Sequence, residues 1–369
     1  MYRIMYFPGH ISGGVGAVVM NIFRNINRDK FSIDFCVPES DSGEYDDEIA
    51  KAGGHVYHIP QIKAVGPRKF IKTIEKILIC NGPYNAVHIH SVHMGALAII
   101  ASKKAGIKKR IYHVHNTQDA ALDHLPFHGV IEHFLNKIIL DNSTVYLACG
   151  QKAGKYIYGN NPFTVINNAV DTKRFYPYDS ENRRKIRKTL LMDDTQKYIV
   201  GNIARFSKVK NQKKLVDIAC LDKHMRNALV FLFVGDGETI SDVKEYAKSN
   251  KCEDKIIFAG QRTDTEKMYN AMDLFCLPSF FEGLPVTMIE AQACGLPCLV
   301  SNVVTTECNL GISSVGYLPL SESDQTWIDT IYKMVDKRIE NRENVETVLK
   351  AKKYELQSMV SLIEDIYLK

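Results

Sequence analysis

No stretch of this chain stays apolar for long enough to cross a bilayer. Its longest apolar runs, residues 96–101 and 228–234, fall far short of the roughly 18 residues that a spanning helix needs. The N-terminus, MYRIMYFPG, has no apolar segment followed by a small-residue cleavage site, so no secretion signal is expected. No C-x-x-C pair occurs among the nine cysteines, which suits reduced thiols and a cytoplasmic chain better than a disulfide framework. Cys294 and Cys298, on either side of Gly-Leu-Pro, read as small core residues. Charge of one sign is also scarce. The 47 Lys and Arg against 42 Asp and Glu leave a net charge of +5, too mild for a general nucleic-acid binder. A local positive face toward an anionic ligand is not excluded. The 23 glycines and 12 prolines are scattered and no short repeat recurs, which removes collagen-like, coiled-coil and low-complexity architectures.

What is present is ordinary globular material. The 369 residues are 45% hydrophobic and 24% charged, enough to bury a core and about two domains long. Short β-rich runs alternate with helical patterns. In the first half the expected strands are residues 2–7, 33–37, 55–59, 86–90, 110–114, 145–149 and 164–166. A second series covers 198–203, 229–234, 256–259, 274–277, 297–300 and 315–318. Strands that alternate with helices imply parallel sheets covered on both faces. The expected fold is therefore α/β, with two doubly wound Rossmann-like domains facing a cleft. Their expected bounds are 1–170 and 171–350, with a terminal helix from 351 to 369 packing back toward the first domain. Residues 345–368 read as one long helix. The charged run 171–194 reads as a solvated linker helix, with a binding patch as the alternative.

The most informative segment runs from 278 to 297, PSFFEGLPVTMIEAQACGLP. It follows an apolar strand. Gly283 permits a tight turn, Pro285 suits the first position of a helix, and Gly295 suits its end. The free amides and positive dipole at such a helix start form a ready anion site. Glu282 stands just before the helix and Glu290 in its second turn, on one face with Val286. A charge stabilising the helix start would account for Glu282 alone, and a surface acid for Glu290 alone.

Glu282 and Glu290 form E-x7-E, and the segment PSFFEGLPVTMIEAQACGLPCLVS resembles the signature of retaining glycosyltransferases of family 4. Its wording is most similar to the capsular and exopolysaccharide branch. The resemblance implies the two-domain GT-B fold and extends over most of the chain. It implies that Arg205 and Lys210, spaced five apart in NIARFSKVKN, hold a diphosphate and offset the charge that develops as it leaves; Lys208 is the residue most easily confused with Lys210. Gly13 and Gly14 resemble the glycines whose backbone approaches the donor, although Val15-Gly16-Ala17-Val18 stands where the family often carries an acidic and a basic residue. Gly235, in VGDGE, resembles a family turn. Gln261 and Arg262, in FAGQR, resemble the segment contacting the nucleotide base. Gly283, Leu284, Pro285, Val286 and Glu290 complete the donor site that the resemblance implies, with Glu290 on the ribose and Glu282 on the transferred sugar.

Eleven of the twelve histidines precede residue 134. His88 and His90 alternate on one expected strand, and His113 and His115 on another, so each pair shares a face. That pattern admits a metal site, but no acidic ligand pattern or H-E-x-x-H accompanies it, and no metal or other cofactor is expected. The resemblance makes His115 the histidine beside the transferred sugar. His90 is a candidate for the acceptor side, while His88 and His113 read as packed residues. Residues 67–79 can segregate apolar and basic groups on a helix, as a peripheral membrane helix does, or as a core helix with a solvated face.

The resemblance thus implies a metal-independent, retaining hexosyltransferase. It would move a hexosyl or N-acetylhexosaminyl group from a UDP-sugar to a glycan or polyprenyl-linked acceptor, with peripheral contact at the inner membrane face and no nucleic-acid partner. The alternatives are a GT-B nucleotide-sugar epimerase or hydrolase, and a non-catalytic sugar-nucleotide-binding subunit.

Overall fold

The computed structural model describes the chain except for residues 12, 40–42, 44, 118–121, 123–126 and 192–196. It divides into two compact units, residues 1–168 with 357–369, and residues 169–356.

In the first unit the strands are β1 (Tyr2–Phe7), β2 (Phe31–Val37), β3 (Val56–His58), β4 (Ala86–Ile89), β5 (Lys109–Val114), β6 (Val145–Ala148) and β7 (Thr164–Val165). They pair in the order β3-β2-β1-β4-β5-β6-β7, all parallel. The second unit has β8 (Tyr198–Ile203), β9 (Leu229–Val234), β10 (Ile256–Phe258), β11 (Leu274–Leu277), β12 (Cys298–Ser301) and β13 (Val315–Leu318). Their order is β10-β9-β8-β11-β12-β13, again all parallel. Helices cover both faces, so the strands need no polar side. All six residues of β9 are buried, as a parallel sheet between two helical layers demands. Each strand lies within two residues of its sequence-read bounds. In each sheet the winding reverses once, between β1 and β4 and between β8 and β11. Ligands of open α/β sheets bind beyond the carboxyl ends of the strands at such a reversal.

Three expectations need correction. Residues 345–368 are not one helix: they form Arg342–Ala351 and Leu356–Leu368. Lys353 between them takes a left-handed φ of 61°, and Val170 and Glu355 pair as an isolated parallel bridge. The extended backbone that this pairing needs ends the first helix. The second helix then packs on the first unit, burying Met359, Val360, Ile363 and Tyr367. Lys109 Nζ donates to its last carbonyls, Ile366 O at 3.1 Å and Tyr367 O at 2.6 Å.

The charged run is not solvated all round: one face of its helix is anchored to the second unit, while Arg184, Lys185 and Lys188 are exposed; residues 192–194 of it lie outside the described residues. Its helix is Ser180–Leu191. Arg183 and Arg187 both grip Asp273 at the start of β11, at 2.9 and 2.7 Å, and they donate to the carbonyls of Asn270 and Ala271. Asp273 also accepts from the Ile199 amide at 2.8 Å. The cysteines are not all thiols either. Cys220, on the helix Gln212–Met225, forms a disulfide with Cys252, and seven others are free. The helix and the turn before β10 bring the two Cα atoms to 5.2 Å, within the usual span of such a bond.

Among the described residues no helix is long and apolar enough to cross a membrane. The helix Ile62–Cys80 turns Phe70, Ile74 and Leu78 into the core, so these apolar residues of 67–79 serve packing, while Ile79 at its end is exposed.

Removing Asp273 leaves two largely buried guanidinium groups without their shared carboxylate and the Ile199 amide without its acceptor. Asp273→Ala is expected to cost about 3 kcal/mol of unfolding free energy, read by urea denaturation. A loss below about 0.5 kcal/mol, the range of ordinary surface substitutions, would contradict the anchoring role.

Candidate active site

In the second unit, the segments that follow β8, β9 and β11 meet at the reversal of winding. Two glycines set how close they come. Gly235 has φ of 132° and Gly237 φ of 153°; a Cβ on either would lie 2.2 Å from a carbonyl oxygen, of Ala204 and Phe206 respectively. Neither position can carry a side chain while the β8 segment keeps its path. The Phe206 amide donates to Asp236 O at 2.9 Å, and the Gly235 amide to Gly260 O at 2.8 Å. On the other side, the Phe280 amide donates to Val209 O at 2.8 Å. Asn211, in the left-handed region at φ 53°, reaches Pro278 O with its side-chain amide at 3.1 Å. Gln212, buried at the head of the next helix, bonds the carbonyl of Arg205.

These ties place a cation against a carboxylate. Lys210 Nζ donates to both oxygens of Glu282, at 2.7 and 2.9 Å. Ser279, itself buried, donates to Glu282 Oε1 at 2.6 Å and is held by Ser301, whose hydroxyl bonds its carbonyl. The Glu282 side chain is only 7% exposed. Lys208, two residues earlier, is exposed, so the fold separates the two lysines that the sequence leaves side by side. Arg205 stands apart from this cluster: its side chain is 74% exposed and pairs with Glu238 at 2.9 Å.

Glu282, Gly283 and Leu284 lead into the helix Val286–Ala293, with Pro285 as the residue before its first turn. The helix thus begins one residue later than the sequence suggested. Its opening amides have no acceptor within the helix and lie beyond the carboxyl end of β11. Glu290 is half-buried and accepts the Tyr269 hydroxyl at 2.8 Å. Burial pushes its carboxyl up to about 7, against the opposing pull of the Tyr269 hydrogen bond and the Arg174 charge. Gln261 and Arg262 lie exposed after β10, where Arg262 forks onto Asp264 with two contacts of 2.8 Å.

In the first unit, Gly13 and Gly14 open the helix Gly13–Asn25. Gly13 has φ of 65°, and a Cβ on either glycine would meet nothing within 4 Å. Their surface is therefore open to close approach. Gly16 is different: a Cβ there would lie 2.5 Å from the Ile11 backbone, so it is fixed by packing. The four alternating histidines form one stack. Ring centroids are 4.0 Å apart for His88 and His90, 5.1 Å for His90 and His113, and 4.3 Å for His113 and His115. All four are buried. Burial depresses every one of them, His115 to about 4, so the stack is neutral. His115, expected beside the sugar, bonds His90 Nδ1 through its Nε2 at 3.0 Å.

Sequence reading missed Ser279, Tyr269 and Gln212. Ser279 lay within the quoted segment, but its hydroxyl gave no sign of pointing at Glu282. Tyr269 and Gln212 carry no local signal, because each acts on a residue brought near by the fold.

Ionising Glu290 costs the folded protein more than the unfolded chain, where the ordinary value is 4.5. The stability it contributes is complete below that value and is lost as pH rises through about 7. In urea titrations between pH 5 and 8, the wild type is expected to lose stability relative to Glu290→Gln as the pH rises. A difference that stays flat across that window would show that Glu290 is not held protonated.

The family description "Glycosyl transferases group 1" matches residues 182–353, and "Glycosyltransferase Family 4" matches residues 12–174. EpsF of Bacillus subtilis (strain 168), itself assigned as a glycosyltransferase, is 29% identical over 99% of this chain and 96% of its own length. An Escherichia coli UDP-Gal:α-D-GlcNAc-diphosphoundecaprenol α-1,3-galactosyltransferase is 25% identical over 89% of this chain and 86% of its own. Capsular polysaccharide biosynthesis glycosyltransferase CapH of Staphylococcus aureus is 25% identical over 92% of each. Among solved structures, HepE of Anabaena in complex with UDP-glucose superposes with a TM-score of 0.77 at 18% identity, covering 99% of both chains. With two family descriptions spanning both units, and with two Rossmann-like sheets, the second of which gathers acid and base residues at the reversal of its winding, the chain belongs to the glycosyltransferases of GT-B fold.

Proposed function

We propose that the protein is a retaining hexosyltransferase that uses a UDP-sugar and builds a capsular or exopolysaccharide from a glycan or polyprenyl-linked acceptor. The observation that carries this reading is the Lys210–Glu282–Ser279 cluster beside the start of the helix Val286–Ala293. UDP-glucose in HepE and the diphosphoundecaprenol-linked substrate named for the E. coli relative support the donor and acceptor classes. A lipid-linked acceptor would bring the enzyme to the inner membrane face.

The donor diphosphate would lie against the amides of Leu284 and Val286, with Lys210 and Arg205 as its cations. Arg205 is exposed and pairs with Glu238, which is exposed too, so turning toward a ligand costs it little. Lys210 is shared with Glu282, and a diphosphate would take part of that hold. Glu282 is then left beside negative oxygens, a position tolerable only if it accepts hydrogen bonds. Hydroxyls of the transferred sugar would supply them. Glu290 would accept from the ribose. In the first unit, Gly13 and Gly14 would approach the donor with their backbone, His115 would contact the transferred sugar, and His90 would serve the acceptor side.

No side chain is assigned as a covalent nucleophile. The bond from the anomeric carbon to the leaving phosphate breaks while the acceptor oxygen attacks the same face. The departing phosphate takes the acceptor proton, and the two cations stabilise the charge it gains. Positioning supplies the rest. In this reading the cations take the place that a divalent metal fills elsewhere.

The test is turnover of UDP-sugars with a membrane lipid extract as acceptor source. Lys210→Ala and Glu282→Ala are each expected to lose about 10²–10³-fold in rate with unchanged circular dichroism, and the wild-type rate is expected to persist in EDTA. Near-normal rates in both variants, or a strict need for added Mg²⁺ or Mn²⁺, would reject the assignment.

A further inference from the structure

We propose that His88, His90 and His113 form a binding site for one zinc-class divalent cation inside the first unit. The sequence pattern of two alternating pairs lacks any acidic ligand nearby, and on that ground it reads as packing. Strand pairing changes the count of ligands. β4 and β5 are adjacent and in register with His88 opposite Ile111 and Ile89 opposite Tyr112. Residues at alternate positions share a face, so His88, His90 and His113 converge from two neighbouring strands. One nitrogen from each lies within 4.8 Å of the others.

The hydrogen bonds sort the nitrogens. His88 Nδ1 is engaged by the Tyr367 hydroxyl at 2.6 Å, and that hydroxyl by Tyr6 at 2.5 Å. His90 Nδ1 is engaged by His115 Nε2 at 3.0 Å, with Asn168 beside His115. In each case the other nitrogen, Nε2, is buried with no hydrogen-bond partner among the described residues. His113 has the backbone of Ile166 near it, yet neither of its nitrogens makes a hydrogen bond of normal geometry. Three buried imidazoles, each with a bare nitrogen, are costly as plain core. The same arrangement is what metal-binding histidines show: one nitrogen is steadied by an outer partner, which leaves the lone pair of the other facing inward. Tyr6–Tyr367 on one side and His115 on the other are those outer partners.

Three imidazole nitrogens at Zn–N distances of about 2.0–2.1 Å sit about 3.3 Å apart in a tetrahedral site. Closing from a spacing of at most 4.8 Å brings any two nitrogens together by about 1.5 Å or less, with no change of strand register. A water molecule would complete the fourth position. The donor set is all nitrogen, which favours Zn²⁺, Co²⁺ or Ni²⁺ over Mg²⁺ or Ca²⁺. The ion is structural. It joins β4 and β5 to the C-terminal helix through His88 and Tyr367, and it is separate from the diphosphate chemistry proposed for the second unit.

Untagged full-length protein, stripped with a chelator under mild denaturant and refolded, is dialysed against Zn²⁺ alone and its metal content measured. About one zinc per chain is expected, with a raised melting temperature. Cobalt in its place is expected to give the strong visible bands of a tetrahedral site. X-ray absorption at the zinc edge is expected to show imidazole scattering from three nitrogens. In His113→Phe and His90→Phe, which keep an aromatic ring in the stack, zinc content and the cobalt bands are expected to fall at least tenfold. A His128→Ala, His133→Ala control should leave both unchanged. If either Phe variant fails to fold, the wild-type cobalt and absorption spectra decide by themselves. Wild type that retains no zinc, cobalt spectra of octahedral type, or zinc undiminished in a folded His113→Phe would overturn the site. Any of these would show the stack to be an aromatic core, and would leave the donor-site reading untouched.

Discussion

A lysine ammonium held 2.7 Å from a carboxylate that is itself almost buried is the contact on which the chemistry of the second unit turns. Neither charge would be tolerated there alone. Each holds the other in place, and Ser279 fixes the carboxylate from behind. The pair is therefore a stored arrangement: a cation ready for an anionic ligand, and an acceptor ready for the hydroxyls attached to it. The partners come from segments 72 residues apart, so the arrangement exists only while the segments after β8 and β11 stay registered. Phe280 on Val209 and Asn211 on Pro278 provide that register through the backbone. Gly235 and Gly237 let the third segment close in without a side chain in the way.

The two sheets share a plan and spend it differently. Both reverse winding once. In the second unit that point gathers ionised groups, close to solvent and cross-paired. In the first it gathers neutral rings, with Tyr6 and His88 paired across β1 and β4 and the histidine stack continuing onto β5. Burying four imidazoles forces them neutral. That cost is acceptable in a core only when something else uses their nitrogens, and for His88 and His90 half of each ring is already used by Tyr367 and His115.

Much of the fold was legible because parallel strands buried on both faces must be short apolar runs, as β9 and β11 are, while the partly buried strands β3, β7 and β13 were placed by their alternation with helical stretches. The helix start after β11 was legible for a similar local reason: Glu282, Gly283 and Pro285 lie within four residues of one another in sequence. What stayed hidden was pairing at a distance. Glu282 could be named, but not its bonds to Lys210 and Ser279. Arg183 and Arg187 looked solvated because nothing near them in sequence is acidic at helical spacing on the buried side; their partner, Asp273, arrives from β11. The break at residues 352–355 had no Gly or Pro to announce it, since Lys353 takes the left-handed conformation itself. The histidines were visible as pairs. Their convergence required the register of β4 and β5, which no spacing along the chain contains.

The most direct test of the central contact is a crystal structure of the protein with UDP. The account predicts the diphosphate against the turn from Gly283 to Val286, within hydrogen-bonding distance of Lys210, with the Lys210–Glu282 contact lengthened from its ligand-free 2.7 Å. Phosphates bound elsewhere, with that contact unchanged, would contradict it.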